Sequence, residues 1–306
     1  MHVYILKRML QVIPVIFLVT IITFSLVHLA PGDPAIMRAG EDATPEQVEM
    51  IREAMGLNEP VMLQYLNWIG GMVRGDLGTS LQDGRPVFST LIRRLPATMQ
   101  LVLASFIVSI GIGVPIGILS AVRQNTFADS FARIFALLGI SMPNFWVGLL
   151  LMLIFSYRLR LLPASGSGSL AHLIMPAIAL GTSSAGIITR LTRSSMLEIL
   201  QQDFIRTAHS KGLKKLIVIY KHALKNAMLP VITVIGVQLG ARLGGSVIVE
   251  SVFAYPGIGR FAYLRLLARD YPMIMGNLLI FALIFIFINL MTDILYGFLE
   301  PRIRYD

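Results

Sequence analysis

Six apolar stretches, roughly 9–30, 97–122, 134–157, 172–190, 229–251 and 274–297, constrain this chain more than any other feature. Each approaches the ~20 residues a helix needs to cross the hydrocarbon core of a bilayer. Backbone groups in lipid must be bonded within their own segment, so runs of this kind fold as helices. The expected fold class is an all-α membrane protein with six transmembrane helices. Only 14% of the 306 residues are charged, against about 25% in a soluble domain. The first run, from Met9 to Ala30, exceeds the ~7–15 residues of a signal-peptide apolar region. Cleavage after Ala30 would put His28 where a small residue belongs, so the run is read as a retained first span.

Lys and Arg placement sets the expected orientation. An inside N-terminus puts Lys7, Arg8, Arg123, Arg133, the eight basic residues of 190–225, Arg302 and Arg304 in the cytoplasm. Both termini are then cytoplasmic. The six arginines of the 31–96 loop carry little weight, because that loop exceeds the ~60 residues over which the rule is informative. The net charge of +9 is read as this topology signal plus attraction to anionic membrane lipid, not as nucleic-acid binding.

The 31–96 loop carries its own order. Thr44 and Gln47 form a capping-box pattern with Pro45 at the first helical position, and Gly56 ends that helix. A second helix is expected over 60–69, with Tyr65 and Trp68 suited to a membrane interface. The loop reads as a small periplasmic subdomain between helices one and two.

Catalytic chemistry is missing. The absence of cysteine excludes thiol catalysis and thiolate metal sites. No GK[ST] occurs, so there is no P-loop. The five histidines lack metal-ligand spacing, and no G-x-S-x-G appears. No catalytic residue, metal ligand or cofactor is expected in this chain. If ATP drives it, another chain supplies the ATPase.

Two segments remain. In "IRTAHSKGLKKLIVIYKHALKNAMLP" (205–230), basic residues alternate with apolar ones at the spacing of an amphipathic helix. Gly212 divides it in two, with a second helix restarting before Pro230 leads into span five. A short, glycine-stopped helix projecting between spans four and five suits docking into another protein's groove. In span five, Gly236, Gly240 and Gly244 repeat every four residues and offer a smooth face for close helix approach. Gln238, Arg242, Ser246 and Glu250 repeat at the same interval about 200° around the helix. A polar stripe along a span faces either a water-filled path or a polar partner helix. "GVPIG" (113–117) is a further small-xxx-small pair, Pro143 should kink span three, and Asn289 and Asp293 are polar residues near the end of span six.

"IRTAHSKG…KHALKNAMLP" resembles the coupling motif of type I ABC importer permeases, in the form used by the dipeptide/oligopeptide/nickel branch. "HLAPGDPA" (28–35), "MGLNEPVMLQYLNWI" (55–69), "GDLGTSL" (75–81), "RLPATMQL" (94–101), "TRSSMLEIL" (192–200), "FAYPGIGR" (253–260), "RDYP" (269–272) and "EPRIRY" (300–305) extend the resemblance over the whole chain. It implies the type I ABC importer permease fold in a multi-pass protein of the cell inner membrane. The implied partners are a second permease subunit, usually a different chain, two ABC ATPase subunits or domains carrying ATP and Mg, and an external substrate-binding protein. The general motif has an EAA triplet and a later proline. Here Arg206 replaces the glutamate and Lys225 the proline, as this branch commonly does.

The expected division is 1–30, cytoplasmic N-terminus and first transmembrane helix; 31–96, periplasmic subdomain; 97–297, transmembrane domain with a coupling segment at 203–228; and 298–306, cytoplasmic tail. Arg206, Thr207, Ala208, Lys211, Gly212 and Lys214 are the expected coupling residues. Ala208 and Gly212 should form one small-residue face, with Lys211 and Lys214 beside an acidic rim. Gln238, Arg242, Ser246 and Glu250 are the expected translocation-path residues. The expected function is a non-enzymatic permease subunit of an ATP-driven importer for short peptides, with nickel or a metal chelate, or glutathione, as alternative cargo. An autonomous channel or secondary transporter would need a complete site in one chain and discontinuous spans in paired halves, and neither is visible.

Overall fold

The computed structural model describes residues 2–29, 32–40 and 42–299. The expected tail at 298–306 falls almost wholly outside them, with Arg302, Arg304 and the whole "EPRIRY" match, and so does the side chain of Asp293. Within them the chain is helical, and its only β pairing is an isolated bridge between Thr79 and Pro86. Helix α1 spans His2–Leu29. Four short helices follow: α2 Pro34–Ala39, α3 Pro45–Ala54, α4 Val61–Val73 and α5 Val87–Ile92. The bundle comprises α6 Leu95–Val122, α7 Phe127–Ser141, α8 Asn144–Leu151 and α9 Ala171–Leu200. It continues with α10 Asp203–Ser210, α11 Lys215–Ile217, α12 Leu224–Val252, α13 Ile258–Leu267 and α14 Tyr271–Leu299.

Five of these stretches are long and apolar enough to cross a membrane, and α7 with α8 makes a sixth if that bent pair is one span. The bend is the main departure from the sequence reading. Pro143 does more than kink a helix: α7 and α8 meet at 107°. Proline lacks the N–H that would continue the ladder and holds its predecessor out of the helical region. Met142 accordingly sits at φ −82°, ψ 130°. A second departure lies before span five. The helix that restarts at Lys215 passes through a π-helical turn at Val218–Ala223 and runs directly into α12, with Pro230 inside.

Helix α9 is the centre of the bundle, and small residues let its neighbours approach. A methyl group on Gly113 would come within 2.8 Å of Ile188, and one on Gly117 within 2.6 Å of Thr192. The "GVPIG" pair therefore sets the α6–α9 distance. The glycine face of α12 turns toward α14, with Gly236 against Thr292 and Gly240 against Phe285 and Asn289, whereas Gly244 meets nothing within 4 Å. Close packing of this kind replaces the hydrophobic drive that helices lose once they are in lipid.

The 32–94 segment packs over one end of the bundle. Its first sizeable helix has the expected capping box: Thr44 and Gln47 bond each other's backbone N–H groups. Gly56 follows at φ +67°. Tyr65 is buried; its hydroxyl lies 2.9 Å from Thr20 Oγ1, and its ring and that of Trp68 pack on Phe24. The "GDLGTSL" loop is pinned to the α13–α14 corner. Ser80 Oγ donates to Asp270 Oδ2 at 2.6 Å, and the Leu81 N–H to Asp270 Oδ1 at 3.1 Å. Arg265 bridges Asp270 at 3.0 Å and Asp83 at 2.8 Å. Partial burial alone would raise the Asp83 carboxyl, but bonds from Arg265 and Ser80 outweigh it and hold the pKa at about 2.

Candidate coupling and translocation sites

Helix α10 lies at the opposite end of the bundle from the 32–94 segment. Its apolar face, Ile205 and Ala208, is buried with Ile118 and Ala121 of α6, Met196 of α9, and Val218, Ile219, Ala223 and Ala227 beyond α11. The other face is free of protein: Phe204, Arg206, Thr207, Lys211, Gly212 and Lys214 are exposed. The expected small-residue face is therefore split. Ala208 turns into its own bundle and seats the helix, while Gly212 remains outside.

Gly212 has a conformational task. It lies at φ +72° with nothing within 4 Å of where a Cβ would be. The Gly212 N–H donates to the His209 carbonyl at 2.9 Å and the Leu213 N–H to that of Ala208 at 3.4 Å, which is the paired bonding of a Schellman stop. A left-handed residue at this point reverses the chain and sends Lys214 toward α11. At the start of α10, Asp203 pairs with Arg206 at 3.2 Å, both exposed, and contributes little to stability.

The polar stripe of α12 turns toward α6 and α9. Arg242 is 5% exposed. Its Nη1 donates to Ser105 Oγ at 2.9 Å and to the Leu180 carbonyl at 2.8 Å, and its Nη2 to Ser109 Oγ at 3.1 Å. The guanidinium also stands 4.9 Å from the centre of the Phe106 ring. All these partners are neutral, and Arg242 Nε has none. One turn on, Ser246 is buried and bonds the Leu243 carbonyl. Glu250 has no exposed surface. Thr98 Oγ1 donates to it at 2.7 Å and the Arg260 N–H at 2.9 Å. Gln238 is half-buried. Four of the exposed positions of this helix, Thr233, Val237, Gly244 and Ile248, form a different stripe.

Glu250 does the work of a helix cap. Helix α13 begins after Gly257, which has no side chain to cap with, so the carboxylate from α12 meets its first N–H groups. A methyl group on Gly257 would overlap that carboxylate.

One site was invisible to the sequence reading. Asp129 at the start of α7 is fully buried and accepts from Ser120 Oγ at 2.6 Å, the Asn125 N–H at 3.0 Å, and Arg193 Nε and Nη2 at 2.7 and 3.0 Å. "TFAD" (126–129) carried the Ser/Thr-x-x-Asp/Glu signal of a helix start. Yet Thr126 makes no side-chain cap bond, and the acidic residue looks across to α9 instead. Among the described residues, no three His, Asp or Glu side chains gather as a metal-holding group.

The sequence matches two family descriptions. "Binding-protein-dependent transport system inner membrane component" covers residues 113–305, and the N-terminal component of the same systems covers 1–102. The dipeptide transport system permease protein DppB of Alkalihalophilus pseudofirmus is 44% identical, over 99% of both chains. The glutathione transport system permease protein GsiC of Escherichia coli is 41% identical, again over 99% of both. Among solved structures, an inward-facing form of the MetNI methionine ABC transporter superposes with a TM-score of 0.59 at 18% identity, covering 70% of this chain and 98% of that one. An amino acid ABC transporter superposes at 0.51, also at 18% identity, covering 70% and 94%. At that identity the likeness concerns the fold.

Proposed function

Because the chain belongs to the family of binding-protein-dependent transport system inner membrane components, we propose that it forms half of a translocation path for short peptides. An external binding protein delivers the cargo, a second permease completes the path, and two ATPase subunits dock on α10. The basic end of the bundle, with both termini and α10, faces the cytoplasm, and the 32–94 segment forms a periplasmic subdomain. ATP and Mg belong to the partner ATPases.

The observation that carries this reading is α10 itself. It is a short helix followed by Lys211, Lys214 and Lys215, fixed to the bundle by one face, stopped by a left-handed glycine, and uncovered on the other face. Arg206, Thr207, Lys211, Gly212 and Lys214 form the docking face, and Ala208 seats it. The relatives' cargoes support peptide chemistry, since glutathione is itself a short peptide. A glutathione importer is the second reading on the same ground.

Of the four α12 residues, Arg242 carries the path proposal most directly. It holds a mid-span charge with only neutral partners and one unmatched N–H. Gln238 lies one turn toward α10. Ser246 and Glu250 brace the outer end of the same face.

The test is reconstitution. With a partner permease, ATPases and a binding protein supplied, the chain should support ATP-dependent accumulation of a labelled dipeptide in liposomes. Alone it should hydrolyse no ATP. Hydrolysis by the lone chain above an empty-liposome control, or cargo accumulation without the ATPases, would overturn the reading.

A further inference from the structure

Helix α10 rests on the π-helical turn at Val218–Ala223 and on the ends of α6 and α9, where Ile205 and Ala208 share a buried cluster with Val218, Ile118, Ala121 and Met196. Those same two helix ends are fastened to α7 at one point, Asp129. Its carboxylate receives four donors from three directions: Ser120 on α6, the Asn125 N–H in the connection, and two guanidinium nitrogens of Arg193 on α9. Four donors fill the accepting capacity of a carboxylate. The Arg193 contact is bidentate, which fixes orientation as well as distance. Arg133 flanks the group at 3.8 Å from a largely exposed side chain. Farther along α7 the contact with α9 stays close, since a methyl group on Gly139 would lie 3.0 Å from the Thr182 carbonyl. Beyond Ser141 the chain turns through 107° into α8.

A buried ion pair contributes little net stability over an apolar pair of the same size, and its better-attested effect is to specify one arrangement. Apolar contacts slide, whereas a bidentate pair holds one register. We propose that Asp129 and Arg193 are positioning residues for coupling. They lock the ends of α6, α7 and α9 into one rigid seat for α10, so that a displacement of α10 reaches the bend at Met142–Pro143 instead of dissipating between helices. The proposal rests on the reading of α10 as the ATPase-docking helix.

Three variants separate positioning from folding. Arg193→Lys keeps the charge but loses the fork. D129L/R193M replaces the pair with apolar groups of similar size, which should fold. D129R/R193D restores a reversed pair. In the purified full-length chain, amide hydrogen exchange over 203–217 should quicken at least about fivefold in the first two variants, with exchange over 45–73 unchanged. In the assembled transporter at equal abundance, both should keep ATP hydrolysis yet take up several-fold less cargo per ATP, and the reversed pair should regain part of that ratio. Unchanged exchange over 203–217 would overturn the rigid seat, and an unchanged ratio of uptake to hydrolysis would overturn the role in coupling. The exchange measurement needs no partner chain. It therefore stands even if the docking assignment of α10 fails.

Discussion

The Thr98 hydroxyl donates to Glu250 Oε1 at 2.7 Å while accepting from the Ile258 N–H at 2.9 Å. One side chain thereby joins the start of α6, the end of α12 and the first turn of α13. Each partner is buried, so none can fall back on water. Removing one partner from such a set leaves the others unpaired, at about 1–3 kcal/mol for each buried group.

Glu250→Ala should therefore lower the thermal midpoint of the detergent-purified chain by several degrees, with Thr98→Val smaller in the same direction. Glu250→Gln should fall between wild type and Glu250→Ala, because an amide keeps one acceptor but turns a donor toward donors. Gly257→Ala should resemble Glu250→Ala, because the added methyl group displaces the carboxylate. A midpoint unchanged by Glu250→Ala would show that the carboxylate does not hold α13.

At the Asp83–Arg265 pair, pH is the lever. Bonds from Arg265 and Ser80 hold the Asp83 carboxyl at about 2, below its ordinary 3.8. A carboxyl lowered by folding adds stability that is fully present above 3.8 and is lost as pH falls through about 2. Thermal stability should thus carry the full, pH-independent Asp83 contribution between pH 7 and 5 and a declining one between about 4 and 2. Asp83→Asn should flatten that acid limb without changing the neutral plateau's slope. The effect is modest, because the pair is partly exposed. Identical acid limbs in variant and wild type would remove the pair from the account.

How much of this was legible follows from how local each signal is. The Thr44–Gln47 box, the stop at Gly56 and the stop at Gly212 each depend on four or five consecutive residues, and all three formed as read. The angle between the glycine and polar faces of α12 was also legible, since helix geometry alone sets it. What each face meets was not. Periodicity places Arg242 opposite Gly240 but cannot say that α6 and α9 bring Ser105, Ser109 and the Leu180 carbonyl to it. Asp129 and Arg193 are 64 positions apart, and neither stands in a pattern that requires the other. The break at Pro143 was half-legible: proline marks the place, and packing of α7 on α9 and of α8 beyond it sets the angle.

Gly212 separates folding from docking. Its positive φ disfavours most side chains by about 1 kcal/mol, but Asn adopts this conformation readily. If Gly212 serves only the helix stop, Gly212→Asn should transport normally. If α10 docks closely on an ATPase, Gly212→Asn should lose about tenfold in uptake, the equivalent of roughly 1.4 kcal/mol, and Gly212→Asp should lose more. Membrane abundance, measured beside uptake, should be unchanged in both. Normal uptake by both variants would move the docking surface away from 205–215.

Arg242 decides between a scaffold and a path. It lies about 20 Å along the axis from Leu229 and about 12 Å from Glu250, too deep to reach either surface by stretching. Inserting an arginine at mid-span costs roughly 2.5–3.5 kcal/mol, and the chain offsets this with two hydroxyls, one carbonyl and an aromatic face. A purely structural arginine would be expected to use all its donors, yet Nε remains open. On the path proposal, α6 and α9 would part from α12 during transport, and the released fork would match a carboxylate such as a peptide C-terminus. Arg242→Leu and Arg242→Gln should insert more readily, since the cost of a mid-span charge is removed. Both should still assemble, with a thermal midpoint lowered modestly because the Leu180 carbonyl loses its donor. Uptake of a dipeptide should fall about tenfold, as expected for losing a charge-assisted bond of about 1.5–3 kcal/mol in part. Uptake of the C-terminal amide of the same dipeptide should fall much less, with a binding protein that accepts both. Equal slowing of the two cargoes, or failed assembly, would leave Arg242 as a brace between α12, α6 and α9 and take it out of the path.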